Sequence, residues 1–240
     1  MQRLLYLKSH GEFNMKEERA FIPSLQGNLR SHSIKVPEAA RRCSGIIVFG
    51  RRIKTLVFTT DVAIIRNIDA DAVIAVYPFT PQPIITQALL MAADIPVFAG
   101  VGGGLTTGPR VCALANHAEM QGAAGVVLNA PTSNDIVAEV SGNLEIPTVV
   151  TVVNENTDIA ARIKAGADII NVAAAAKTAE IVRDIRSKYP DIPIMATGGP
   201  TDETIAETVK AGANAISWTP PTTAELFKAT MEKYRNSVKN

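Results

Sequence analysis

Two kinds of short punctuation alternate along the chain, and their spacing restricts the fold more than any other feature. Asp94-Ile95-Pro96, Glu145-Ile146-Pro147 and Asp191-Ile192-Pro193 precede one set of β-branched apolar runs, while Gly122-Ala123, Gly166-Ala167 and Gly212-Ala213 precede the set between them. Gly closes a helix in the left-handed conformation without steric cost, and Pro at the first residue of a strand gives up a donor that the ladder does not yet need. Both are devices for entering a strand. The Ile-Pro steps recur after 51 and 46 residues and the Gly-Ala steps after 44 and 46, so the repeating unit is two strands and two helices. The apolar runs predict strands over residues 54–60, 71–77, 95–100, 124–129, 147–152, 167–172, 192–197 and 213–218, each followed by room for the crossover helix that parallel pairing requires. Eight such units describe an α/β chain of the (β/α)8 type, in which odd and even strands feed alternate interior layers and so have a reason to differ. An open doubly wound sheet would need a topological switch point, and nothing in the even alternation marks one.

Upstream, the two apolar runs around Gly50-Arg51-Arg52 predict a β-hairpin over residues 45–53, placed to plug the N-terminal mouth of the barrel. The chain therefore divides into an arm and hairpin, residues 1–53, and a barrel, residues 54–240. Residues 15–44 have no clean period and read as an arm that wraps the barrel or a partner subunit of a homo-oligomer. Met15, followed by Lys16-Glu17-Glu18-Arg19, is a candidate start that would make residues 1–14 a leader. Charge follows the same division. Residues 1–54 carry eleven Lys/Arg against four Asp/Glu, and the rest thirteen against nineteen, so the formal charge of +1 is the sum of a basic arm and an acidic barrel. A chain-wide basic field for nucleic acid or an anionic membrane is absent, and neither partner is expected. No run reaches the roughly 18 apolar residues of a membrane span, and Cys43 and Cys112 are too few for a disulfide framework, which together suggest a cytoplasmic protein with reduced thiols.

In this architecture chemistry sits at the C-terminal ends of the strands. The most specific segment there is Thr197-Gly198-Gly199-Pro200-Thr201, which opens the seventh helix. Glycines let a ligand approach the backbone, and free N–H groups at a helix start bind anions. The alternative is a helix entry with Thr201 as N-cap and Thr204 merely part of a polar first turn. Gly100-Val101-Gly102-Gly103-Gly104-Leu105-Thr106-Thr107-Gly108, after the third strand, matches neither a dinucleotide fingerprint nor a P-loop; Gly102, Gly103 and Gly104 read as a mobile lid, an anion cradle or a plain connection, with Arg110 adding charge beyond. Asp61 is the one carboxylate at the immediate end of a predicted strand, a candidate general acid/base if burial raises its pKa. Equally, it could cap the following helix and pair with Arg66. Asn129 and Asn171 end the fourth and sixth strands, where their amides could orient a substrate or satisfy loop backbone.

Ile192-Pro193-Ile194-Met195-Ala196-Thr197-Gly198-Gly199 and Ala211-Gly212-Ala213-Asn214-Ala215-Ile216 resemble the last two strands of the phosphate-binding TIM barrels, the ribulose-phosphate-binding group of epimerases, synthases and decarboxylases. The architecture resembles that group over residues 54–235, the motifs only in these strands. The resemblance implies a phosphate cup whose second half follows the eighth strand, usually as a Gly-Ser or Gly-Thr turn. This chain has Ser217-Trp218-Thr219-Pro220-Pro221 there, in which two prolines remove two donors and Ser217 and Thr219 offer hydroxyls. The whole chain is also similar to uncharacterised bacterial proteins labelled as hydrolases, a resemblance that carries no mechanism.

Absences narrow the chemistry further. No Lys projects from the last seven strands for a Schiff base, the three histidines (His10, His32 and His117) do not form a cluster, and neither a Gly-x-Ser-x-Gly elbow nor a Cys-His pair is present. No metal site and no cofactor are predicted. The leading expectation is a lyase or isomerase acting on a small phosphorylated metabolite, or binding an inorganic anion, with Asp61, Asn129 and Asn171 in catalysis and Gly102, Gly103, Gly104, Thr197, Gly198, Gly199, Ser217 and Thr219 holding the ligand. An FMN-binding oxidoreductase-like barrel is a second reading, disfavoured by an aromatic content of 5%. A metabolite-sensing scaffold that uses the basic arm is a third.

Overall fold

The computed structural model describes Pro23 and residues 34–237. A hairpin of β1 (Ile46–Val48) and β2 (Arg51–Ile53) leads into eight parallel strands: β3 (Thr55–Phe58), β4 (Ala72–Ala75), β5 (Val97–Gly102), β6 (Gly125–Leu128), β7 (Thr148–Val152), β8 (Ile169–Val172), β9 (Ile194–Thr197) and β10 (Ala215–Trp218). These strands pair in chain order, and β10 closes on β3. The fold is a (β/α)8 barrel. Its helices are α1 (Val62–Asn67), α2 (Pro83–Ala92), α3 (Pro109–Met120), α4 (Asn134–Asn143), α5 (Ile159–Lys164), α6 (Thr178–Lys188), α7 (Asp202–Lys210) and α8 (Thr223–Ser237).

Both entry devices act as the alternation predicts. Gly122, Gly166 and Gly212 adopt φ of +91°, +105° and +110° immediately after α3, α5 and α7. The carbonyls of Pro96, Pro147 and Pro193 accept from the N–H of Val73, Val126 and Ile170, so each proline joins the ladder as an acceptor only. A third device accompanies them. At the foot of three even-numbered strands a side-chain oxygen caps the first N–H of the preceding strand: Asp71 on Thr55 at 3.0 Å, Asp168 on Thr148 at 2.9 Å and Asn214 on Ile194 at 2.9 Å. Arg186 locks the last of these corners, donating to Asn214 Oδ1 and to the carbonyls of Gly212, Pro190 and Ile192. These polar groups belong to the N-terminal face, away from the mouth.

Strand side chains alternate between the helical layer and the interior. Leu56, Phe98, Val149 and Met195, one from each odd-numbered barrel strand, are buried in the interior with Ala72, Ile74, Val127, Ile169 and Ala215 from the even-numbered ones. Full burial of such side chains contributes roughly 1.5–3 kcal/mol each. Phe98 fits because its register partner is Gly125, where a Cβ would stand 2.6 Å from the ring. Ile46, Val48 and Ile53 of the hairpin join the same cluster and plug the N-terminal mouth. Register pairs Val48 with Arg51, so the hairpin turns on Phe49-Gly50, both at positive φ, as a two-residue turn requires; the predicted turn at Gly50-Arg51-Arg52 lies one residue too far, and Arg51 and Arg52 belong to β2.

Residues 34–43 of the predicted arm pack on the barrel. Ile34 bridges to Ile68, Val36 packs with Val57, Ile64 and Ile65, and Ala39, Ala40 and Cys43 join the cluster that contains Ile205, Ala211 and Ile216. This segment, with Trp218, fills the outer layer between α7 and α1. Apart from Pro23, residues 1–33 of the arm, His10 and His32 included, lie outside the described residues. Both cysteines are free and buried, and desolvation pushes the Cys43 thiol up to about 12 against the opposing pull of Lys54.

Candidate active site

The C-terminal mouth contains a cavity of about 170 Å³ between the ends of β4, β5 and β6, lined by Tyr77, Phe79, Gly102, Gly104, Thr106 and Asn129 among others. The loop after β5 is built around it. Gly102 and Gly103 take φ of +146° and +98°, Gly103 N–H donates to Thr106 O, and Asn129 N–H donates to Gly102 O. A Cβ on Gly103 would come within 1.8 Å of Thr132 Oγ1, so the glycine lets this loop lie flat on the next one. The expectation of an open anion cradle is corrected accordingly at Gly103, because its N–H is already used within the turn. Thr106 is 4% exposed and its Oγ1 has no hydrogen-bond partner among the described residues. Sequence reading did not single out Thr106 or Tyr77, whose hydroxyl accepts from Gln82 N–H and holds the β4–α2 loop. Their signal is position alone, in the loops that follow β4 and β5.

Deeper in the barrel, Asn171 stands in register with Thr151 on one side and Met195 on the other, which directs it inward. It is 6% exposed, its Nδ2 donates to Thr151 Oγ1 at 3.3 Å, and its Oδ1 is buried without a partner among the described residues. Turning the amide over exchanges these roles; either way one amide atom faces the interior unpaired. Thr197 and Ser217 are register partners on β9 and β10, and Ser217 is buried. Asn171, Thr151, Thr197 and Ser217 thus give the upper interior a neutral polar lining, in contrast to the wholly apolar layer below.

The β9–α7 turn is tightly committed. Gly198 N–H donates to Ser217 O, and a Cβ on Gly198 would meet Ile205 and Ile216 at 2.7 and 2.8 Å, so this glycine serves the close approach of α7 to the sheet. Thr201 caps α7, and Thr204, expected to be only part of a polar turn, completes a reciprocal capping box with it. Asp202 and Glu203 already occupy the first turn of α7 and oppose a second anion there. Thr219 is exposed beyond β10, and Pro220 is buried.

Asp61 is the N-cap of α1, accepting from Ala63 and Ile64 N–H at 2.8 and 3.2 Å and from Thr223 Oγ1. Desolvation pushes its carboxyl up, but the bonds from Thr223, Ile64 and Ala63 together outweigh it and hold the pKa below the usual value. The expected upward shift is therefore corrected, because hydrogen bonds to the ionised form win over burial. Arg66 does not pair with Asp61; it reaches Asp94 at 3.1 Å. Two other cations at strand ends are engaged. Arg162 binds the carbonyls of Ala130 and Thr132, and Lys177 pairs with Glu155. Among the described residues no three His, Cys, Asp or Glu side chains gather as a metal-binding group. The cavity is smaller than the roughly 300–1,000 Å³ of usual small-molecule and cofactor pockets, so it suits a small ligand better than a nucleotide-sized one such as FMN.

The structure resembles solved TIM-barrel enzymes at low identity. A 2,3-dimethylmalate lyase described as a member of the PEP mutase/isocitrate lyase superfamily superposes with a TM-score of 0.59 at 14% identity, covering 84% of this chain and 85% of that one. Phosphoenolpyruvate phosphomutase from Streptomyces platensis subsp. rosaceus gives 0.56 at 13%, covering 77% and 81%. Dihydrodipicolinate synthase from Agrobacterium tumefaciens gives 0.53 at 16%, covering 76% and 71%. At these identities the likeness establishes the barrel fold. No protein-family model matches the chain, and no curated protein does. Among the described residues no helix is long and apolar enough to cross a membrane.

Proposed function

We propose that this barrel is a lyase- or isomerase-type enzyme that binds a small metabolite at the C-terminal mouth, in the cavity beside Asn129 and over the polar interior around Asn171. The observation that carries the reading is the unpaired amide atom of Asn171. An unpartnered polar atom inside a barrel costs about 1–3 kcal/mol, and a chain that fills its lower interior with hydrocarbon had apolar alternatives at this position. A carbonyl or hydroxyl of a bound molecule would supply the missing partner. Bond cleavage or migration beside a carbonyl builds negative charge on its oxygen, and fixed amide donors are the groups that stabilise it. Asp61, ionised at the end of β3, is our candidate acid/base. Fold relatives whose names include a lyase, a phosphomutase and a synthase support the same class of chemistry.

If the substrate carries a phosphate or carboxylate, the β5–α3 loop and the exposed Arg110 are favoured over α7, where Gly198 is committed and Asp202 and Glu203 repel anions. The test is thermal-shift and calorimetric titration with phosphoenolpyruvate, 2,3-dimethylmalate and inorganic phosphate, on the full chain and on Asn171→Ala and Arg110→Ala. An organic acid that stabilises the full chain and loses at least tenfold in affinity in Asn171→Ala supports the reading. Binding indifferent to Asn171, or none by all three compounds, overturns it.

A further inference from the structure

The last helix does not behave like the eighth helix of a closed barrel. None of the fifteen residues of α8 is buried, and the space between α7 and α1, where a helix following β10 would pack, is taken by residues 34–43 and Trp218. Yet α8 is not a polar spacer. Ala224, Phe227, Met231 and Tyr234 recur at i, i+3, i+7 and i+10, one apolar stripe, while Glu225, Glu232 and Lys233 lie on the other side. Phe227 is 65% and Tyr234 61% exposed. Among the described residues, the hydrogen bonds that tie the helix to its surroundings lie at its start, in a Thr222–Glu225 capping arrangement and the Thr223–Asp61 bond. A helix of this length is marginal in water without packing along its face.

A second face is equally exposed. Helix α2, sequence PIITQALLMA, contains no charged residue. Leu89 packs inward, while Ile84, Gln87, Ala88 and Met91 form an outward row at i, i+3, i+4 and i+7, with Ile84 66% and Met91 80% exposed. Phe79, in the loop that leads into α2, is 70% exposed. We infer that α8 docks along the exposed face of α2 on a second copy of this chain, in a reciprocal two-fold exchange that leaves neither face in water. Two mutually unpaired faces on one chain are what an isologous pair satisfies at once. The area agrees. Phe79, Ile84, Met91, Phe227 and Tyr234 at roughly 100 Å² each expose roughly 500 Å² of apolar surface per chain, close to the ~65% apolar share of the ~800 Å² each partner buries in a stable dimer.

Sedimentation velocity on the full chain tests the inference, with circular dichroism to show that each variant is folded; all substituted side chains are exposed, so folding should persist. The full chain should be a dimer at micromolar concentration. Phe227→Lys/Tyr234→Lys on α8 and Ile84→Glu/Met91→Glu on α2 should each weaken the dimer at least a hundredfold. Mixing the two variants should restore it, because one contact becomes native and the other pairs Lys with Glu. Milder Phe227→Ser and Ile84→Ser variants serve the same reading if a charged variant misfolds. A monomeric full chain at 100 μM (roughly the weak limit for a specific dimer) overturns the inference. So does a dimer sensitive to α8 but not to α2, which would mean that α8 pairs with α8.

Discussion

Replacing Asn171 with Leu separates a binding residue from a structural one, because the two roles predict opposite signs of stability change. Leu has the branched shape of Asn without its polar atoms. In the unliganded barrel the substitution removes a buried acceptor that lacks a partner, worth about 1–3 kcal/mol, and loses one long side-chain hydrogen bond to Thr151, worth about 1 kcal/mol. Thr151 is only half-buried, so its hydroxyl can turn to water. Leu adds roughly 1–2 kcal/mol of apolar burial next to Met195, against up to about 1 kcal/mol of crowding. The net lies between about 0 and 4 kcal/mol of gain and is centred near about 2 kcal/mol, which in a barrel of this size raises Tm by roughly 4–8 °C. The assay is urea unfolding followed by far-UV circular dichroism, comparing midpoints at constant m-value. A loss of 2 kcal/mol or more would refute the reasoning, since Asn171 would then be satisfied in the folded state and its amide would be part of the scaffold. Asn171→Leu should also fail to bind whatever organic acid stabilises the unsubstituted chain, so stability and binding should move apart.

Asp61→Ala removes the α1 cap and the tie to Thr223 and should cost about 0.5–2 kcal/mol, whereas Asp61→Asn keeps cap geometry and should cost less than half of that, by urea melts at neutral pH. Because the folded pKa of Asp61 is lowered, its contribution is present above the unfolded value of about 3.9 and is lost as pH falls through the folded one; acid titration of stability should therefore be shallower in Asp61→Asn than in the unsubstituted chain. Gly125→Ala places a methyl 2.6 Å from the Phe98 ring and should destabilise by about 1–3 kcal/mol, with Phe98→Leu in the same chain recovering part of the loss in thermal melts. Cys43, with its thiol at about 12, should react with a disulfide reagent at pH 8 only as fast as the chain unfolds; stoichiometric labelling within seconds in native buffer would contradict that placement.

The barrel could be read from the sequence because strands buried on both faces leave continuous apolar runs, and because the Ile-Pro and Gly-Ala steps are local devices whose physics does not depend on distant residues. All eight predicted strands are present, with ends shifted by no more than two residues, as at Val97–Gly102 against residues 95–100. What could not be read depends on neighbours far along the chain. Gly198 suits an anion cradle or a tight helix approach equally well until Ile205 and Ile216 are placed beside it. Asp61 has the same composition-level signature as base or as cap, and Thr223, 162 residues away, tips its pKa downward. The displacement of α8 by residues 34–43 left no local trace, since the α8 stripe is the pattern of any amphipathic helix.

The acidic excess of the barrel has its own logic once the carboxylates are placed. Asp71 and Asp168 hold strand feet on the N-terminal face, Asp158 and Asp61 cap α5 and α1, Glu119 binds the N–H groups of Glu145 and Ile146, and Glu225 caps the start of α8. Each neutralises backbone donors that would otherwise be orphaned at a strand or helix start. The interior beneath the mouth is left with amides and hydroxyls. In a low-dielectric barrel such groups discriminate strongly between a ligand that completes their hydrogen bonds and one that does not. Selectivity at this mouth should therefore follow the hydrogen-bonding pattern of the substrate head that reaches Asn171 more closely than its net charge, with charge sensed only at the rim, where Arg110 stands.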